Sequence, residues 1–194
     1  MKKLVVLVGL PGSGKTAFQK RHPEWAVVSK DAIRRGVFHC NYAPEYEQVV
    51  DRIFASTLVE VIASDAETVC VDDLNHTRAA RAELIELAQL TTREAVAYVM
   101  PTKPLDALFA RTRDSLEQLS ASNAYIRVTD LSRLRFEELA RSYDPVDARE
   151  GFTRVAKETA LPNEDDPMDS SGTPQVARRR RRIEKRQPLP LFVP

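Results

Sequence analysis

Cysteine is nearly missing from this chain: Cys40 and Cys70 are the only two in 194 residues. That excludes a disulfide framework and a cysteine metal cluster, and it fits a reducing cytoplasm, the expected location. Cys70 lies inside an apolar run and reads as a small core residue. Histidine is equally sparse, and His22, His39 and His76 have no spacing that suggests a metal site. No apolar stretch is long enough to span a membrane. Met1-Lys2-Lys3 followed by apolar residues resembles the start of a secretory signal. The run is short and lacks a small-residue cleavage site, so it reads as a first strand instead. There is no internal repeat.

The hydrophobic content of 43% is enough for a real core. The net charge of +1 hides an asymmetry, because the last seventeen residues carry a formal +6 and the rest −5. Glycine is scarce too, at six residues, yet three of them fall at positions 9, 12 and 14. There Gly9-Leu10-Pro11-Gly12-Ser13-Gly14-Lys15-Thr16 fits G-x-x-x-x-G-K-[ST], the phosphate-binding P-loop, without a mismatch. Each residue type has a task. The glycines let the backbone turn so that successive N–H groups form an anion nest. Lys15 places a charge on the β- and γ-phosphates, and the Thr16 hydroxyl ligates Mg²⁺. ATP and Mg²⁺ are therefore the expected ligands, held by Gly9, Pro11, Gly12, Ser13, Gly14, Lys15 and Thr16.

The surroundings agree. Lys3–Val8 is an apolar run stopping at Gly9, as a buried parallel strand does, and a helix over Lys15–Arg21 would set its N-terminus against the phosphate. Further along, strands are expected over Trp25–Ser29, Thr68–Asp72, Glu94–Met100 and Gly151–Ala156. Helices are expected over Asp31–Phe38, Pro44–Ser64, Thr77–Leu90, Pro104–Leu119 and Leu131–Ser142, the last capped by Thr129-Asp130. This alternation predicts an α/β fold with a parallel sheet, and the loop after its first strand makes it resemble the P-loop NTPase-type sheet flanked by helices; likeness to small P-loop kinases implies an adenylate-kinase-like form with a helical lid. Residues 1–160 form the expected P-loop domain. Residues 161–194, acidic and then basic, have the composition of a disordered tail.

In an open α/β sheet ligands bind at the carboxyl ends of the strands, and three such ends carry charge. After the second strand come Asp31, suited to accept a hydroxyl proton, and Arg34, at i+3 on the same helical face and suited to an acceptor phosphate. An N-capping aspartate and a solvated arginine fit as well. After the third strand, Asp72 is a candidate Mg²⁺ acid, with Asn75 nearby to bond a loop or the acceptor; an Asx turn is the plainer alternative. In the helix after the fourth strand, Arg111 and Arg113 are candidate lid arginines, of which only one can point at ATP; Arg127 is a further candidate. Tyr42 and Tyr46 suit base stacking or helix packing alike.

Taken together these segments resemble the kinase domain of the polynucleotide 5′-kinases, over about Leu4 to Ala156. Ser29-Lys30-Asp31-Ala32-Ile33-Arg34 is similar to that family's N-R-D-x-x-R, Val71-Asp72-Asp73-Leu74-Asn75 to its I-D-x-x-N, and Glu150-Gly151-Phe152 to an E-G-F before its last strand. The resemblance implies that Asp31 is the general base, Arg34 a ligand of the acceptor-side phosphate, Asp72 an active-site acid and Arg111 a lid arginine. It implies an ATP-dependent kinase acting on a hydroxyl of DNA. The acceptor is either a 5′ end or the hydroxymethyl group of 5-hydroxymethyluracil, as in related phage kinases; a small-molecule kinase is the alternative. Three departures stand out: Lys30 replaces an arginine, the lid spacing differs, and Arg127 replaces a proline. No phosphatase motif follows. The arginine run Arg178–Arg182 suits contact with DNA phosphates or a solvated tail, and Pro188–Phe192 suits a docking motif.

Overall fold

After its exposed first residue, Lys3, the first strand β1 (Lys3–Val8) is wholly apolar because both of its faces are covered. In the computed structural model, which describes residues 1–158, Leu4, Val6 and Val8 pack into one core and Val5 and Leu7 into another. β2 (Ala26–Val28), β3 (Thr68–Val71), β4 (Glu94–Val99) and β5 (Arg154–Lys157) join β1 in a wholly parallel sheet of order β2-β3-β1-β4-β5. Six helices accompany them among the described residues: α1 (Lys15–Gln19), α2 (Lys30–Phe38), α3 (Pro44–Ala63), α4 (Arg78–Leu90), α5 (Leu105–Ser122) and α6 (Arg133–Arg141). The larger core sets Leu58 and Ile62 of α3 and Leu84, Ile85 and Ala88 of α4 against the sheet. The smaller one adds Phe18, Cys70, Val96 and Met100. The expected α/β architecture forms, and Cys70 is the core residue its apolar setting suggests.

Several boundaries move for identifiable reasons. β2 ends at Val28 because Ser29 is the N-cap of α2, its hydroxyl accepting from the Ala32 N–H at 3.4 Å. Asp31 is therefore not the cap; it stands in the first turn with its carboxylate exposed. The final helix is capped by Ser132 rather than Thr129-Asp130. β5 starts at Arg154 rather than Gly151, because Ala148–Glu150 form a 3₁₀ turn, closed by a capping box between Asp147 and Glu150, and Gly151 follows it at φ 107°.

Thr129 is occupied elsewhere. Its N–H donates to Asn41 Oδ1 at 2.7 Å and its carbonyl accepts from Asn41 Nδ2 at 2.8 Å. Next to this pair the Arg127 N–H donates to the His39 carbonyl at 2.8 Å. His39 itself ends α2 at φ 51°. These bonds clasp the α2–α3 connection to the segment following α5.

Two buried arginines lock the frame. Arg93 donates to the carbonyls of Ile62, Ser64 and Ala66, which closes the C-terminal end of α3. Arg81 of α4 forks onto Glu150 with two bonds of 2.7 Å. No helix among the described residues is long and apolar enough to cross a membrane. The expected tail 161–194, with Arg178–Arg182 and Pro188–Phe192, lies outside the described residues.

Candidate active site

The P-loop runs from the end of β1 into α1. Gly14 is the N-cap of α1 at φ 102°, and no side chain caps the first turn, so its N–H groups are open to an anion. Gly12, at φ 75°, lies directly under α5. A Cβ at that position would stand 2.4 Å from the Leu108 carbonyl oxygen and 2.8 Å from Thr112 Oγ1. The Ser13 hydroxyl is buried in the loop without a hydrogen-bond partner. An open helix start and an orphaned buried hydroxyl fit a triphosphate.

Lys15 Nζ donates to the carbonyls of Gly9 and Leu10. Burial lowers its pKa from the ordinary lysine value, while the charges of Asp72, Asp31 and Asp73 work the other way. The Thr16 hydroxyl donates to Asp72 Oδ2 at 3.4 Å. Burial pushes the Asp72 carboxyl upward against the pull of Lys15, with Asp31 adding to the rise. Lys15, Thr16, Asp72 and Asp31, chosen from the sequence, thus share one electrostatic neighbourhood. Thr16 and Asp72 are hard oxygen donors suited to Mg²⁺, which takes one or two protein oxygens and completes its shell with phosphates and water. No cage of three or more His, Cys, Asp or Glu side chains occurs among the described residues.

Other candidates are placed differently. Asn75 is buried at φ 45°, and its Nδ2 donates to the Leu7 carbonyl at 2.8 Å, so it pins the ends of β1 and β3 together rather than facing an acceptor. Glu150, the acid of the E-G-F segment, belongs to the Arg81 fork. Arg113 pairs with Glu117 one turn on at 3.3 Å, and Arg111 lies exposed in the α5 turn that carries Thr112. Arg127 pairs with Glu45 at 3.1 Å. Tyr42 lies under the Arg135 guanidinium, 4.4 Å from its ring centroid, and Tyr46 stacks on Phe38 at 4.5 Å. His76 bonds Ser142 at 3.0 Å.

Arg34 departs most from expectation. Its Nε and Nη2 fork onto Glu47 at 2.9 and 2.7 Å, and its Nη1 reaches Asp31 Oδ1 at 2.6 Å. Lys30 bridges Asp51 at 2.9 Å and Asp73 at 3.4 Å. Glu47, Asp51 and Arg81 were not singled out from the sequence. The spacing of Glu47 and Asp51, one turn apart on a helix like Lys30 and Arg34, was the available signal.

A parallel sheet with this loop between its first strand and a helix, and with an acid at the neighbouring strand end, defines a P-loop nucleotide-binding protein of the kinase fold. The AAA_33 family, an AAA domain, matches residues 4–139, and the chain belongs to it. Among solved structures it is similar to a putative kinase from Chloroflexus aurantiacus, at 17% identity over 80% of this chain and 88% of that one, TM-score 0.56. It is also similar to Kti12 from Chaetomium thermophilum in complex with ADP-AlF3, at 19% identity over 84% and 90%, TM-score 0.53. A third likeness is to a chain of the Pnkp1/Rnl/Hen1 RNA repair complex, at 19% identity, 73% of this chain and TM-score 0.55; the present chain spans only 43% of that one. At such identities the likeness is one of fold. No curated protein matches by sequence.

Proposed function

We propose that this chain is an ATP-dependent phosphotransferase that delivers the γ-phosphate to a hydroxyl on DNA, at a 5′ end or on a hydroxymethylated base. The observation that carries the reading is Asp31. It is an exposed carboxylate in the first turn of α2, just beyond β2, anchored through one oxygen by Arg34, with its charge acting on both Lys15 and Asp72. Bound ATP supplies the phosphoryl group, and Mg²⁺ neutralises charge across its phosphates. The chain supplies the rest. The first-turn N–H groups of α1 and Lys15 would cradle the phosphates, Thr16 and Asp72 would hold the metal, and Arg111 would serve as the lid cation. The acceptor oxygen bonds to the γ-phosphorus as the bridge to the β-phosphate breaks, and the hydroxyl proton passes to Asp31. A modified base would have to leave the stack first. The fold shared with a chain of an RNA repair complex supports a nucleic-acid acceptor.

One observation favours a second reading, a kinase of a small molecule. The Arg34 guanidinium is already engaged by two carboxylates, so a phosphate beside the acceptor hydroxyl is not required for its charge balance. The test is transfer of labelled γ-phosphate to a 5′-hydroxyl oligonucleotide, to DNA containing 5-hydroxymethyluracil and to free nucleosides. Labelling of either DNA supports the first reading, and labelling of nucleosides alone supports the second.

A further inference from the structure

Two elements that meet only in the folded chain carry a matched set of charges. On α2, Lys30 and Arg34 stand one turn apart; on α3, Glu47 and Asp51 do the same, and the pairs are crossed so that 30 meets 51 and 34 meets 47. This is a two-rung ladder between antiparallel helices. The Arg34–Glu47 rung is a planar two-bond fork and is partly shielded, with side-chain exposures of 14% and 24%. Such forks are stronger and more directional than exposed single contacts. The Lys30 rung extends to Asp73, the residue beside the metal acid.

We propose that Glu47 and Asp51 are positioning residues that hold the first turn of α2, and with it the Asp31 carboxylate, in the geometry needed for proton abstraction. The inference rests on the phosphotransferase reading above. Glu47 takes Nε and Nη2 of Arg34, so only Nη1 is left to turn toward Asp31. That bond fixes one carboxylate oxygen and leaves the other for the acceptor. Without Glu47, Arg34 is free to rotate and to fork onto Asp31 itself, which would occupy both oxygens. Asp51 acts from the other end, holding Lys30 and so the direction in which α2 leaves β2. Neither acid touches a substrate in this scheme.

The experiment compares Glu47→Ala, Glu47→Gln and Asp51→Asn with wild type in the full chain, using the best acceptor of the three above. Misplacing a reacting group by about 1 Å costs on the order of 10²-fold. Glu47→Ala should therefore lower kcat by about that factor while ATP affinity stays within about twofold of wild type. Glu47→Gln, which keeps one acceptor for Arg34, should recover part of the loss. A kcat for Glu47→Ala within about twofold of wild type would overturn the proposal, as would ATP affinity falling in step with kcat. Should the alanine variant fail to fold, Glu47→Gln and Asp51→Asn carry the same comparison. Hydrogen exchange supplies a readout independent of turnover: the Ala32 and Ile33 amides should exchange faster in Glu47→Ala than in wild type, and α4 should be unchanged. Equal exchange would sink the ladder even if wild type phosphorylates none of the acceptors, whereas that lack of transfer by itself counts against the phosphotransferase reading.

Discussion

Replacing Glu150 with alanine should be the most damaging single change outside the nucleotide loop. Arg81 has a side-chain exposure of 0% and Glu150 of 3%, so the pair is held away from water. Two parallel bonds of 2.7 Å satisfy Nε and Nη2 of Arg81, and Nη1 donates to the Asn75 carbonyl at 3.1 Å. Glu150→Ala strands the Nε donor, leaves Nη2 only the Pro145 carbonyl at 3.5 Å, and leaves a full positive charge in the interior. Breaking one side of a buried pair costs about 3–5 kcal/mol. For a folded region of this size that corresponds to a drop in Tm on the order of 10 °C. Urea denaturation followed by circular dichroism measures it. The paired change Arg81→Met with Glu150→Leu removes both charges and should lose far less, because no ion is left unpaired. A single variant within about 1 kcal/mol of wild type would refute the reasoning, as would a double variant no better than the single. There is also a pH signature. Burial works to raise the Glu150 carboxyl, but the Arg81 bonds outweigh it and hold the group below the usual carboxylate range. A depressed folded pKa gives stability that is present above the unfolded value and is lost as pH falls through the folded one. The gap between wild type and Glu150→Ala should therefore narrow on acidification.

Three further outcomes are expected. Asp31→Asn should lower phosphoryl transfer by about 10²–10⁴-fold with ATP affinity little changed; full activity in this variant would remove Asp31 as the base. Gly12→Ala should weaken ATP binding and lower Tm, since the left-handed backbone there costs a side chain about 1–3 kcal/mol and the new Cβ meets the Leu108 carbonyl; calorimetric titration with ATP showing wild-type affinity would contradict it. Asp72→Asn should raise Tm at neutral pH in nucleotide-free protein while reducing Mg²⁺-dependent transfer. Burial raises the folded pKa of Asp72, so stability falls as pH climbs from its unfolded to its folded value, and the amide avoids that loss; a lower Tm for the variant would count against it.

The residues readable from the chain alone are those whose neighbours lie close in sequence. The P-loop is contiguous, so its strand, turn and helix are written within residues 3–19. Asp72 stands out as a candidate because an apolar run stops at it, and strand ends of this sheet type face the ligand. Asp31 is a candidate for the same reason, but its freedom from capping duty depends on Ser29, two residues earlier. What stayed hidden needed partners from far away. Arg34 reads as a free cation until α3 folds back and Glu47 takes most of its guanidinium. Glu150 looked like part of a motif, yet its partner Arg81 stands 69 positions away. Thr129 has the right chemistry to start a helix, and tertiary pairing with Asn41 overrode that local preference.

The clasp between Asn41 and Thr129 has a mechanical consequence. Gly12 makes the P-loop abut α5 on one side, and the segment leaving α5 is stitched to the α2–α3 connection on the other. A swing of α5 away from the nucleotide loop must either drag that connection with it or break the stitch. The position of α5 over the nucleotide loop is thus tied, through Asn41 and Thr129, to the connection that follows α2.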